Sequence, residues 1–250
     1  MSREEAALQS GARCDEPPRA VIFDLDQTLY PYRSYVSSGL GAVALHMKIT
    51  HGIELDTEPP ADPKPSDIPR LLAERMRPHF REVDPRTVYA LLTVLRCHKP
   101  RIALMPDVIP ALATLRCRDV KIGVVCPGNP REQQLKLTAL SAHPWLDTVI
   151  FAGETDASLG MEYAFWLAAM DMDVGVDETL FVGCNGFSGF ADADRAGMRC
   201  VAVRRAASGA ASLDSDTRTV NTIRDLSAVP DFWCPVSGRH GSRISPDSEN

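Results

Sequence analysis

Two aspartates that follow a short apolar segment are the residues in this sequence best suited to chemistry. Asp24 and Asp26 lie two positions apart, at the end of an apolar run that begins at Ala20. If that run is a buried strand, both acids lie at its carboxyl end, which is where ligands bind in open α/β sheets. One carboxylate could then attack a phosphorus atom while the other protonates the leaving group. The alternative is a pair of acids in a solvated loop.

Short apolar segments recur along the chain and alternate with helical patterns. They are rich in β-branched residues and lack polar alternation, which is typical of strands buried on both faces of a parallel sheet. The predicted strands are 20–25, 121–126, 148–152, 179–182 and 199–203, and the predicted helices are 108–117, 131–140, 161–171 and 189–196. This order predicts an α/β fold with a doubly wound, Rossmann-like parallel sheet. Residues 220–233 add one edge strand and a short closing helix.

The segment 31–105 interrupts this alternation, because it contains no convincing strand. One helical face carries Val36, Leu40, Val43 and Met47, and a second helix begins at Asp84 and Pro85. A proline-rich stretch, 59–69, is interpreted as the loop between these two helices. We predict a helical cap domain, 31–105, inserted into a core formed by 19–30 and 106–233, with a disordered lead-in (1–18) and a disordered tail (234–250).

The stretch VIFDLDQTLY, from Val21 to Tyr30, resembles motif I of the haloacid dehalogenase (HAD)-like superfamily, in the form found in its cap-bearing nucleotidase- and phosphatase-type members. The resemblance covers about residues 20–232, since the later elements follow in order. It implies that Asp24 is the nucleophile that becomes an aspartyl-phosphate and that Asp26 is the general acid and base. It also implies that Thr28 steadies the loop and that Asp24 and Asp26 bind Mg²⁺.

Motifs II and III depart from the pattern of this family. Motif II should end its strand in a hydroxyl residue that holds the phosphoryl group, and here Cys126 takes that position. The N–H of Gly128 and the amide of Asn129 could still face a phosphate. Motif III should supply a lysine, and that position falls on Gly160. The nearest candidate substitute is Arg131.

Motif IV departs from the family pattern in the same way. Its two acidic positions, which complete the metal site in the family, are Cys184 and Gly189. Asp192 and Asp194 follow, but we expect them to lie in the next helix and to face away from the strand end. Cys126 and Cys184 should lie two strand spacings apart, too far for a disulfide. We therefore interpret the two cysteines as small residues that fill the positions of lost ligands.

Composition narrows the classes of protein. The chain has 250 residues and a net charge of -6, which argues against nucleic-acid binding. No apolar run is long enough to cross a membrane. The seven cysteines form no CxxC pair, so neither a disulfide framework nor a zinc site is predicted, and free thiols favour a reducing compartment, with the cytoplasm as the expected location.

Two main functional hypotheses follow. Because three of four motifs are altered, the leading one is a catalytically impaired or inactive HAD-like protein, a pseudophosphatase-like binding or regulatory module. The alternative is an active phosphatase or 5′-nucleotidase-like hydrolase that acts on a small phosphorylated metabolite through Asp24 and requires Mg²⁺. A structural partner of an active paralogue is a third interpretation. The expected partners are a small phosphorylated molecule or a protein.

Overall fold

A computed structural model describes residues 17–155, 159–184, 189–205 and 221–231. Within these ranges six parallel strands form one sheet: β1 (Ala20–Phe23), β2 (Lys121–Cys126), β3 (Thr148–Phe151), β4 (Thr179–Cys184), β5 (Arg199–Val203) and β6 (Asn221–Ile223). Their order in the sheet is β3-β2-β1-β4-β5-β6. The predicted doubly wound α/β fold is confirmed, and the strand that carries Asp24 lies at the centre of the sheet.

Seven α-helices accompany these strands within the described ranges. They are α1 (Tyr32–His51), α2 (Ile68–Met76), α3 (Pro85–Cys97), α4 (Val108–Cys117), α5 (Pro130–Ala139), α6 (Gly160–Asp171) and α7 (Phe190–Ala196). A 3-10 helix, Leu226–Asp231, follows β6. The four core helices start and end within a residue or so of the bounds predicted from the apolar pattern.

The sheet separates two apolar layers, because successive side chains of a strand point to opposite faces. Val21 and Phe23 pack in a layer that also holds buried residues of α1 to α5. Ala20 and Ile22 point the other way, into a smaller layer with α6 and α7. The central strand is therefore buried on both faces, which explains its continuous apolar run.

The segment between β1 and α4 is helical, with α1 packed against α3 and α3 packed against α5. Asp84 begins α3 as predicted, because its side chain accepts a hydrogen bond from the N–H of Arg86 at 2.9 Å. The interpretation of 59–69 as a single loop between two helices is wrong, because a 3-10 turn (Pro65–Asp67) and a third helix, α2, lie between α1 and α3. Pro69 lies in the first turn of α2, where a missing N–H costs no helical hydrogen bond. Whether 31–105 forms a separate cap domain stays a prediction.

The predicted lead-in (1–18) and tail (234–250) lie almost wholly outside the described residues. None of the helices in the described part of the chain is long and apolar enough to cross a membrane.

Candidate active site

The two aspartates of motif I lie where the central strand ends. The hydrogen-bond ladder between β1 and β4 extends to Asp24, whose N–H donates to the carbonyl of Val182 on β4 at 2.9 Å. The chain then turns, with Gln27 in the left-handed region at φ 60°. Asp24, Asp26 and Thr28 are all buried, which excludes the alternative of two acids in a solvated loop.

Asp24 is held next to a hydroxyl in an apolar environment. The hydroxyl of Thr28 donates to its Oδ2 at 3.2 Å, which gives Thr28 the loop-steadying position that the resemblance implies. Burial, and then the charge of Asp26, raise the pKa of Asp24 to about 8, although the N–H of Leu25 and the Thr28 hydroxyl act in the opposite direction. The charge of Lys136, described below, also lowers this pKa but does not outweigh burial, so the carboxyl group is mostly protonated at neutral pH.

Asp26 forms a buried ion pair with Lys136, which the sequence analysis did not identify as a site residue. The Lys136 Nζ lies 3.0 Å from Oδ1 and 2.9 Å from Oδ2 of Asp26. The Tyr30 hydroxyl also donates to Oδ1. Lys136 lies on α5, ten residues after Cys126, and its side chain is completely buried. The positive charge therefore reaches the aspartate pair from the helix after motif II and not from motif III.

The surroundings of Lys136 keep it charged. Burial acts to lower the pKa of Lys136, but the charges of Asp26 and Glu132 outweigh it, and the pKa is raised above its ordinary value. Glu132 Oε1 lies 2.9 Å from Nζ, one helical turn before Lys136. The ammonium group also lies over the ring of Tyr35, 4.2 Å from the centroid, in a cation–π contact.

The ion pairs continue outward to the helical segment. Arg96 on α3 pairs with Glu132 at 3.3 Å, so a row of alternating charges links the surface of α3 to the acid of motif I. Arg131, the lysine substitute considered from the sequence, has an exposed side chain and is not part of this row. That suggestion was wrong because position 131 faces out of α5, whereas position 136 faces the sheet.

The carbonyl of Thr28 is fixed from the opposite side of the motif I loop. Arg205, which follows β5, donates from Nη2 to this carbonyl at 2.6 Å. Its Nη1 pairs with Asp107 at 2.6 Å, and the same Asp107 oxygen accepts from the N–H of Leu226 at 2.8 Å. This clamp ties motif I to the start of α4 and to the end of the sheet.

The residues predicted to bind phosphate have different environments in the structure. Cys126 ends β2, and its thiol is buried; burial raises the pKa of Cys126 well above its ordinary value, with the charges of Asp26 and Asp24 adding to the effect. Gly128 follows in the loop with φ 90°. Asn129 is used in another way: its side-chain oxygen accepts from the N–H of Glu132 at 3.1 Å and so caps α5.

Two positions where the family carries a charged side chain have backbones that favour glycine. Gly160 has φ 69° at the start of α6 and Gly189 has φ 142° before α7. A Cβ at position 160 would meet open space, whereas one at 189 would lie 3.2 Å from the Phe181 ring. The loop between Cys184 and Gly189 lies outside the described residues. Among the earlier candidates, Asp192 pairs with Arg195 on the same helix.

The donors in the described part of the chain do not by themselves fit Mg²⁺. They include no group of three or more His, Cys, Asp or Glu that could hold a metal ion. Mg²⁺ prefers near-octahedral oxygen ligands. Both carboxylate oxygens of Asp26 are instead occupied by the Lys136 ammonium. Among the described residues, Asp24 and the backbone carbonyl of Asp26 remain as oxygen donors, and water and a substrate phosphate would have to supply the other ligands of a metal ion.

The fold and the buried aspartate pair at its central strand define a HAD-like protein, and comparison with solved structures confirms this fold. A HAD phosphatase from Thermococcus onnurineus superposes with a TM-score of 0.59 at 20% identity, covering 85% of this chain and 96% of that chain. A dehalogenase solved with an intermediate complex superposes with a TM-score of 0.57 at 16% identity, covering 87% and 97%. No protein-family model matches the sequence.

Two curated relatives are phosphatases of this kind. The glyceraldehyde 3-phosphate phosphatase of Methanopyrus kandleri is 29% identical over 197 residues, which is 75% of this chain and 84% of the relative. The enzyme of the same name from Methanocaldococcus jannaschii is 24% identical over 224 residues, 86% of this chain and 96% of the relative. The chain is thus similar to HAD-fold phosphatases over most of its length, and the expectation of catalytic impairment gains no support from these comparisons.

Proposed function

We propose that this protein is an active phosphohydrolase that cleaves small phosphate monoesters through an aspartyl-phosphate on Asp24. The observation that carries the proposal is the buried ion pair between Lys136 and Asp26. It provides positive charge beside the nucleophile although the motif III lysine is absent. The similarity to two glyceraldehyde 3-phosphate phosphatases supports this function over a silent binding module and makes phosphorylated three-carbon sugars the first substrates to test.

The first step is an attack by the Asp24 carboxylate. The reacting form carries the proton of the aspartate pair on Asp26 and leaves Asp24 charged. An oxygen of Asp24 then forms a bond to phosphorus while the bond from phosphorus to the ester oxygen breaks, and Asp26 delivers this proton to the leaving oxygen. Lys136 stabilises the resulting Asp26 carboxylate and offsets the negative charge of the phosphoryl group. The charge of Lys136 lowers the pKa of Asp24 but does not outweigh burial, so this pKa stays raised at about 8 and the nucleophilic form is the minor one at neutral pH.

The second step returns the enzyme to its starting state. Asp26 accepts a proton from a water molecule, the water oxygen bonds to phosphorus, and the bond between phosphorus and Asp24 breaks. Inorganic phosphate leaves, and both aspartates are restored.

A turnover assay tests this function. Purified protein is assayed for phosphate release from glyceraldehyde 3-phosphate, other sugar phosphates and nucleoside monophosphates, with Mg²⁺ and separately with EDTA. We expect turnover of at least one ester, and a loss of about 10³-fold or more in Asp24→Asn. Asp192→Asn is the matched control, because it makes the same chemical change on α7, and it should keep the full rate.

Two outcomes would contradict the proposed function. Folded protein that releases no phosphate from any ester in either condition would restore the binding-module hypothesis. Turnover that Asp24→Asn leaves intact would show that the activity does not pass through this residue.

A further inference from the structure

Helix α6 is apolar on two opposite faces. Its inner face buries Ala164, Phe165, Ala168 and Ala169 against the sheet. The opposite face carries Tyr163, Trp166 and Met170, and Leu159 lies at the cap position just before the helix. These four large apolar side chains are here called the α6 stripe. The exposed fractions of Leu159, Tyr163, Trp166 and Met170 are 50%, 36%, 47% and 71%. A helix at the surface of a globular protein normally has a polar outer face, and one that is apolar all round is normally buried.

The α6 stripe is narrow and continuous. At 100° per residue, its three helical positions fall within about 60° of one another around the helix axis. A polar rim flanks it, where Glu162 pairs with Arg195 of α7 at 3.6 Å. An apolar centre with a charged rim is the arrangement of a protein–protein interface.

Trp166 is fixed in position within the α6 stripe. Its indole N–H donates to the carbonyl of Ala196 at 3.2 Å, so its polar atom is satisfied inside the chain while nearly half of its surface stays exposed. A tryptophan held in this way loses little side-chain freedom on association, which is a property of residues that dominate interfaces.

We propose that the α6 stripe is the interface of a two-fold symmetric homodimer, in which α6 packs antiparallel against α6 of a second copy. The stripe positions on α6 are Tyr163, Trp166 and Met170. An antiparallel copy places Tyr163 against Met170 of the partner subunit, with Trp166 of both copies near the two-fold axis, so that each contact occurs twice as in an isologous interface.

The exposed area of the α6 stripe is compatible with a second copy of the chain as its partner. The four side chains expose on the order of 500 Å² per copy, compared with the roughly 800 Å² that each partner buries in an interface of standard size. The flanking polar side chains supply the remainder. The stripe belongs to the layer of α6 and α7, whereas Lys136 lies on the opposite face of the sheet.

Sedimentation velocity of the full chain from about 1 to about 100 µM tests the dimer. We expect the wild-type protein to sediment at twice the 27.3 kDa of the chain. Met170→Glu places a charge in the apolar contact and should weaken association at least tenfold, because a buried unpaired charge is costly. Ile49→Glu is the matched control, since Ile49 is equally exposed but lies on α1.

A cooperative circular dichroism melt of each variant is the control for folding. A wild-type monomer throughout this concentration range would overturn the proposal, whether the stripe is then covered by another segment of the chain or by another protein. A Met170→Glu variant that stays dimeric would also overturn it, because the dimer would then form elsewhere. Neither result bears on phosphatase activity.

Discussion

The Lys136 ammonium lies 2.9 Å from Oδ2 and 3.0 Å from Oδ1 of Asp26, in an ion pair that joins α5 to the motif I loop across the carboxyl end of the sheet. The two residues are 110 positions apart in the chain. The pair places a fixed positive charge next to the acid–base residue and close to the nucleophile. It therefore connects the stability of the fold to the proposed chemistry.

Loss of Lys136 should destabilise the protein strongly. Lys136→Met keeps most of the side-chain volume but leaves the buried Asp26 without its cation, whereas Glu132 keeps its pair with Arg96. Removing one partner of a buried pair costs about 3–5 kcal/mol of unfolding free energy, which urea denaturation can measure. Lys48→Met is the matched control, because the pair of Lys48 with Glu54 is exposed, and it should change stability little.

The double variant Asp26→Asn/Lys136→Met distinguishes the effect of the lost ion pair on stability from the effect of changed side-chain packing. It should be less destabilised than Lys136→Met alone, because no charged carboxylate is then buried opposite the methionine. Equal stability of the single and double variants would contradict the ion pair. Phosphate release should fall in both variants.

The raised pKa of Asp24 makes stability depend on pH. A carboxyl group with a pKa of about 8 in the folded state, against an ordinary value of 3.8, favours folding when protonated. That contribution is complete below the unfolded pKa and is lost as the pH rises towards 8. Asp24→Asn does not titrate at this position. The melting temperature of the variant minus that of the wild type should therefore increase by about 5 °C or more from pH 5 to pH 8.

This comparison is made by thermal melts in EDTA, since a bound cation would favour the charged form of Asp24. The double variant Asp24→Asn/Asp26→Asn shows whether Asp26 adds a further pH dependence. A constant difference in melting temperature between Asp24→Asn and the wild type across this range would show that the pKa of Asp24 is not raised.

The sequence predicted the fold closely and the site only in part. The apolar runs around Ala20 and Lys121 predicted the parallel strands, because burial on both faces leaves a simple pattern. Pro69 was misassigned because proline marks a loop and the first turn of a helix equally well. Site residues contributed by distant elements, such as Arg205, left no local pattern to detect.

The sequence around Lys136 does contain a pattern that indicates a buried lysine. Gln133, Lys136, Leu137 and Leu140 share one face of α5, and all four are buried. A lysine on the apolar face of an amphipathic helix, with Glu132 four residues before it, indicates a buried ion pair. Only the fold could show that its partner is Asp26.

Restoring the family lysine at position 160 should not help. Gly160 has φ 69°, so Gly160→Lys should cost about 1 kcal/mol of unfolding free energy and fray the start of α6. Gly160→Asn, which tolerates this conformation better, is the control. We expect no gain in the rate of phosphate release, because Lys136 already supplies the charge. A tenfold higher rate in Gly160→Lys than in Gly160→Asn would show instead that the aspartate pair lacks positive charge.

The most direct measurement is rapid acid quenching during turnover of glyceraldehyde 3-phosphate, or of the best ester in the panel, followed by mass spectrometry of the digested protein. We expect one phosphoryl group on Asp24 in the wild-type protein and none on any residue in Asp24→Asn. Phosphate release without a phosphorylated Asp24, or with the phosphoryl group on another residue, would contradict the proposed mechanism.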